Sequence, residues 1–134
     1  MSKKITVRNH VLEWRIDMNR SDEIVKIAVK AMDDKKAEDI KVIRIGEVSS
    51  VADYFVIANG TNPSQVEAIV DAVEEELTKN DISALRTEGL RSSGWILMDY
   101  GDVVIHIFSK EDRLFYDLER IWRDGEIVSI ENFQ

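Results

Sequence analysis

Residues Gly94 to Trp122 constrain this chain more than any other stretch, because GWILMDYGDVVIHIFSKEDRLFYDLERIW joins two apolar runs to an amphipathic segment through an acidic turn. Trp95-Ile96-Leu97-Met98 and Val103-Val104-Ile105-His106-Ile107-Phe108 have strand length and are rich in aromatic and β-branched residues. Asp99-Tyr100-Gly101-Asp102 between them carries turn-forming Gly and Asp, so the pattern predicts an antiparallel hairpin. Neither run alternates apolar with polar side chains. Both faces of its sheet therefore need a cover, from helices of the same chain or from another molecule.

A chain of 134 residues is expected to form one domain with a real hydrophobic core. No apolar run reaches the roughly 18 residues that cross a bilayer, and the basic, polar N-terminus lacks the apolar centre of a secretory signal. With no cysteine, disulfides, thiolate metal sites and cysteine nucleophiles are excluded. The formal net charge of −8 hides an asymmetry: residues 1–20 hold five Lys/Arg and two Asp/Glu, which leaves 13 basic and 24 acidic residues, or −11, in the remainder. Phosphate backbones demand clustered Lys and Arg, so nucleic acid is not expected as the main contact, whereas a basic protein partner is favoured.

Residues 1–17 show no clean period and are expected to be a flexible N-terminal extension, with Met18 a candidate natural start. The domain proper is expected over 18–123 and a short C-terminal tail over 124–134. Ser21-Asp22 has the character of a helix start before Ile24, Val25, Ile27, Ala28, Ala31 and Met32. Ile40 to Ile45 predicts a strand with one wetter face, and Asp53 to Ala58 a nearly continuous apolar strand suited to a central position. Asn62 and Pro63 then cap and open a long helix whose apolar face is Val66, Ile69, Val70, Val73 and Leu77. A short strand over Ile82 to Arg86, the hairpin, and a helix over Lys110 to Trp122 complete the order α-β-β-α-β-β-β-α. The expected fold is a single α/β (α+β) domain with a five-stranded mixed sheet packed by helices.

Chemistry-bearing constellations are sparse. Asn59-Gly60-Thr61-Asn62, between a strand and a helix, could receive an anion, but it lacks the spaced glycines of a dinucleotide fingerprint and the Gly-Lys-Ser/Thr of a P-loop. Its plain reading is a capped turn. Asp53, Glu88, Asp99 and Asp102 lie near strand ends without metal-ligand spacing, and fit better as acidic residues facing a basic partner. His106 sits inside an apolar strand and reads as a satisfied sheet histidine, with no pattern of a triad or metal site around it. Trp95 and Tyr100 flank the hairpin turn and suit either core or interface. Asp99 and Asp102 beside them could supply a charged rim, which turns the balance toward an interface.

Across Ala31 to Trp122 the sequence resembles the ribosomal silencing factor family, RsfS, also called the Iojap family. The resemblance is carried by Lys35-Lys36-Ala37-Glu38-Asp39-Ile40, Asp53-Tyr54-Phe55-Val56-Ile57-Ala58, Gln65-Val66-Glu67-Ala68-Ile69, Glu88-Gly89, the hairpin from Trp95 to Phe108, and Tyr116-Asp117-Leu118-Glu119-Arg120-Ile121-Trp122. It departs from the family at Asn62-Pro63-Ser64, where members usually have a Ser/Thr-rich segment with a basic residue, and in the extension before Met18. The resemblance implies a nucleotidyltransferase-like sheet and binding to the large ribosomal subunit through its fourteenth ribosomal protein. It further implies steric obstruction of small-subunit joining when nutrients are short, no catalysis and no cofactor or metal, and a homodimer.

The residues expected to make the partner contact are Glu88, Trp95, Leu97, Asp99, Tyr100 and Asp102. The rival reading is a metal-dependent nucleotidyltransferase-like enzyme or nucleotide-binding protein. Against it, Gly60-Thr61 is a distant echo of the required turn, and no Asp-x-Asp/Glu pair lies on a following strand. Residues 1–17 are short and mix acids with Lys and Arg, unlike a transit segment, so the expected location is a bacterial cytoplasm.

Overall fold

The computed structural model describes residues 9–45, 52–89, 94–111 and 126–133. Its elements are α1 (Asn9–Asp34), β1 (Glu38–Arg44), β2 (Tyr54–Gly60), α2 (Pro63–Lys79), β3 (Arg86–Glu88), β4 (Trp95–Asp99), β5 (Val103–Ser109), β6 (Glu126–Val128) and a 3-10 turn over Ile130–Phe133. The sheet is mixed, in the order β3-β4-β5-β2-β1-β6. Among the described residues only β2 and β5 pair in parallel; the other neighbours are antiparallel. The fold is thus the expected α+β domain, with six strands rather than five.

The added strand comes from the segment expected to be a tail. β6 pairs with β1 through Val42–Val128 and Ile43–Ile127, and Val128 and Phe133 are buried in the core, with Phe133 edge-on to Tyr54. Three strand residues carry too little pattern to stand out. What holds them is the free edge that β1 offers, a tertiary feature.

The helix α1 begins at Asn9 and runs through Met18, so Ser21-Asp22 is not its start. Those two cap-like side chains point elsewhere: the Ser21 hydroxyl donates to Asp53 Oδ2 at 3.2 Å, and Asp22 Oδ1 accepts from the Tyr54 hydroxyl at 3.1 Å. They tie the helix to the entry of β2. At its other end α1 closes with a Schellman pattern, Lys36 N–H to Asp33 C=O and Ala37 N–H to Met32 C=O, with Lys36 in the left-handed region at φ 61°.

The helix α2 matches expectation. Asn62 is extended and its Oδ1 accepts from the Gln65 N–H at 2.9 Å, Pro63 occupies the first turn, and Val66, Ile69, Val70, Val73 and Leu77 are its buried face. It also ends in a Schellman pattern, with Asp81 at φ 61° and Ile82 N–H returning to Leu77 C=O. That cap takes Ile82 into the core, so β3 starts at Arg86 instead of Ile82. Lys110 and Glu111 are helical; the rest of the helix expected to Trp122 lies outside the described residues.

Both faces of the sheet are apolar. One packs on α1 and α2, with Val42, Val56, Ala58, Ile96, Met98, Ile105 and Ile107 meeting Val25, Val29, Met32, Ile69 and Val73. The other gathers Ile43, Ile45, Ala52, Phe55, Ile57, Val104 and Phe108, with Trp95 and Leu97 packed at its margin. The period of two sorts the hairpin between these faces. No helix among the described residues is long and apolar enough to cross a membrane.

Candidate functional site

Strand register decides which candidate residues share a surface. Trp95, Leu97 and Asp99 alternate along β4 and so project to the side away from α1 and α2. Glu88 stands opposite Leu97 and Arg86 opposite Asp99 on β3, which places both on that same side. Trp95 and Leu97 are partly exposed at the margin of the second apolar cluster, and Glu88 is exposed at the sheet edge. Four of the six expected residues therefore form one patch.

Tyr100 and Asp102 are placed differently. The chain leaves the strand at Tyr100, whose ring turns to the helix side and is 8 % exposed. Burial, with the Glu74 carboxylate nearby, raises its hydroxyl to about 12. Tyr100 thus anchors the turn from beneath. Asp102 is exposed at the turn, and its carbonyl accepts from the Asp53 and Tyr54 N–H groups at 2.7 and 3.1 Å.

The acidic rim carries an internal cation. Arg86 reaches Glu88 Oε2 at 3.2 Å and Asp99 Oδ2 at 3.5 Å. The other oxygen of Asp99 shapes the turn. Asp99 Oδ1 accepts from the Gly101 N–H at 2.8 Å, an Asx turn that ends β4 where Gly101 sits at φ 88°. Among the described residues, no group of three or more His, Asp or Glu side chains gathers in a geometry that could hold a metal ion.

Behind the patch lies an aromatic layer that the linear pattern of residues does not reveal. Trp95 stacks on Phe108, centroids 5.2 Å apart, and Phe55 and His106 approach to 4.7 Å. The Trp95 indole Nε1–H donates to His106 Nδ1 at 3.1 Å. His106 is 4 % exposed, and burial pushes its imidazole down to about 4. The signal for this was present as Trp95 and His106 on consecutive strands, but the pairing needs the antiparallel register that sets Leu97 opposite His106 and Trp95 opposite Phe108.

The turn after β2 is occupied by its own contacts. Gln65 Oε1 accepts from both the N–H and the hydroxyl of Thr61, at 2.7 and 2.8 Å, and Gln65 Nε2 donates to the Lys35 and Lys36 carbonyls. A Cβ on Gly60 would stand 3.0 Å from the Val66 nitrogen and Cγ2. Glycine there lets β2 run directly against α2. The N–H groups of Thr61 and Gln65, two that an anion would use, are already engaged.

An α+β domain with a mixed sheet, one face packed by helices and the other presenting a partly exposed aromatic and acidic margin, is the class these features define. Comparisons with known proteins are specific within it. The family model described as ribosomal silencing factor during starvation, RsfS, matches residues 18–134. The ribosomal silencing factor RsfS of Bacillus subtilis is 41 % identical over 108 residues, covering 81 % of this chain and 92 % of that protein. That of Halalkalibacterium halodurans is 38 % identical over 111 residues, covering 83 % and 95 %. A crystal structure of a protein from Bacillus halodurans superposes with a TM-score of 0.71 at 36 % identity, over 80 % of this chain and 97 % of the other. The chain belongs to the ribosomal silencing factor (RsfS/Iojap) family.

Proposed function

We propose that this protein binds the large ribosomal subunit through its fourteenth ribosomal protein and sterically blocks joining of the small subunit, repressing translation under nutrient limitation. Membership of a family described as silencing factors during starvation supports the role. The observation that carries the contact is the patch on β3 and β4, where Trp95 and Leu97 are partly exposed beside Glu88 and Asp99. Trp95 and Leu97 supply apolar area, and Glu88, Asp99 and the nearby Asp102 complement a basic target, while Tyr100 holds the turn from the core side. An aromatic anchor with a charged rim is the pattern of an interface hot spot.

In this reading the protein works without bond chemistry, in the cytoplasm. The engaged N–H groups of the Gly60-Thr61 turn favour it over nucleotide transfer. A homodimer belongs to the same proposal, and sedimentation velocity of the purified chain tests it. The central experiment is co-sedimentation with isolated large and small subunits, followed by subunit joining in the same salt. Selective binding to the large subunit and loss of joined ribosomes is expected. Binding to neither subunit would sink the proposal.

A further inference from the structure

We propose that His106 is a positioning residue for the docking patch: its Nδ1 holds the Trp95 indole in one orientation, so that the ring meets a protein partner already ordered. The inference rests on the reading of Trp95 as part of the contact.

The geometry fixes the proton inventory of the pair. An indole nitrogen can only donate, so the 3.1 Å contact from Trp95 Nε1 makes His106 Nδ1 the acceptor and leaves the ring proton on Nε2. That Nε2 is buried and has no hydrogen-bond partner among the described residues. An orphaned buried donor costs at least as much as one hydrogen bond returns, and replacing both partners by apolar groups of similar shape is close to neutral or better. Stability alone therefore gives no reason for histidine at the centre of this layer. Trp95 supplies one, because it is the member of the layer that reaches the surface.

Packing completes the restraint. Phe108 stacks on the Trp95 ring at 20°, and lies nearly parallel to the His106 ring at 12° with centroids 6.3 Å apart. Phe55 closes on the opposite neighbour, His106, at 57°. Stacking alone leaves a ring able to slide or rotate in its plane; a hydrogen bond at one edge removes that freedom. A side chain ordered before binding loses less entropy on binding.

The test combines His106→Leu, which removes the acceptor, His106→Asn, whose Oδ1 can stand where Nδ1 lies, and Trp95→Phe, which removes the donor. Hydrogen exchange of the Trp95 indole N–H, read by NMR and assigned in the unaltered chain by nuclear Overhauser contacts to the stacked Phe108 ring, reports the bond without any ribosome. In the unaltered chain this proton should exchange slowly; exchange at the rate of an exposed indole would overturn the inference, whether or not any variant folds. His106→Leu should weaken large-subunit binding about fivefold, His106→Asn should recover most of it, and in the Trp95→Phe background His106→Leu should have no further effect. Equal binding by His106→Leu and the unaltered chain overturns the positioning role alone. No large-subunit binding by the unaltered chain overturns the docking proposal and, with it, the functional half of this one.

Discussion

His106 and Asp99 each hold a neighbour in place, and each gives a measurable signature. Folded, the His106 imidazole titrates near 4, against 6.5 for an unburied histidine. Between those values the unfolded chain binds more protons, so this contribution to stability is complete above pH 6.5 and declines as pH falls toward 4, by about 3 kcal/mol. Urea unfolding at pH 7 and pH 4.5 should show that slope in the unaltered chain and lose it in His106→Asn; the same slope in both would assign it to other groups. Asp99 is expected to separate turn from charge. Asp99→Asn keeps an acceptor for the Gly101 N–H and should unfold within a few tenths of a kcal/mol of the unaltered chain, whereas Asp99→Lys removes it beside Arg86 and should cost about 1 kcal/mol.

At the scale of elements, both helices end on residues that glycine usually provides. Lys36 and Asp81 stand at φ 61° in Schellman caps. Asp tolerates that region better than Lys, so Lys36 is where relief is available. Lys36→Gly should stabilise the chain by about 0.5 kcal/mol, the left-handed strain removed outweighing the added freedom of the unfolded chain. The Lys36 carbonyl bond to Gln65 Nε2 is main-chain and survives the change. A lower thermal midpoint would show that the Lys36 side chain contributes more than its backbone costs. Elements with long, periodic patterns were legible: α2 from its cap to Leu77, and β2 as a central, wholly buried strand. The three-residue strands were less so: a strand was expected at β3 but four residues early, from Ile82, and β6 was expected as tail, because three residues hold too little alternation to fix where a strand lies.

For the whole molecule the relevant quantity is charge. With a net −8, and −11 beyond residue 20, the field around the folded chain draws basic partners over distances that salt screens. Association with large subunits should slow at least about threefold when salt is raised from about 0.05 to 0.3 M, with a smaller change in dissociation rate. Stopped-flow mixing at several ionic strengths separates the two. Equal slowing of both rates would remove electrostatic steering from the account.

From its residues alone the chain determined the apolar hairpin, the amphipathic α2, a mixed-sheet domain and the acidic balance, since each is written in local spacing or summed composition. The family resemblance was legible there too, carried by the hairpin. Only the tertiary structure decided which side chains act together. Register put Glu88, Trp95, Leu97 and Asp99 on one face and sent Tyr100 to the other. The free edge of β1 turned an expected tail into a strand. The bond from Trp95 to His106 joins residues on two strands, and such a contact exists only once the pairing is formed, because sequence spacing encodes what one element does to itself and not what its neighbour will offer.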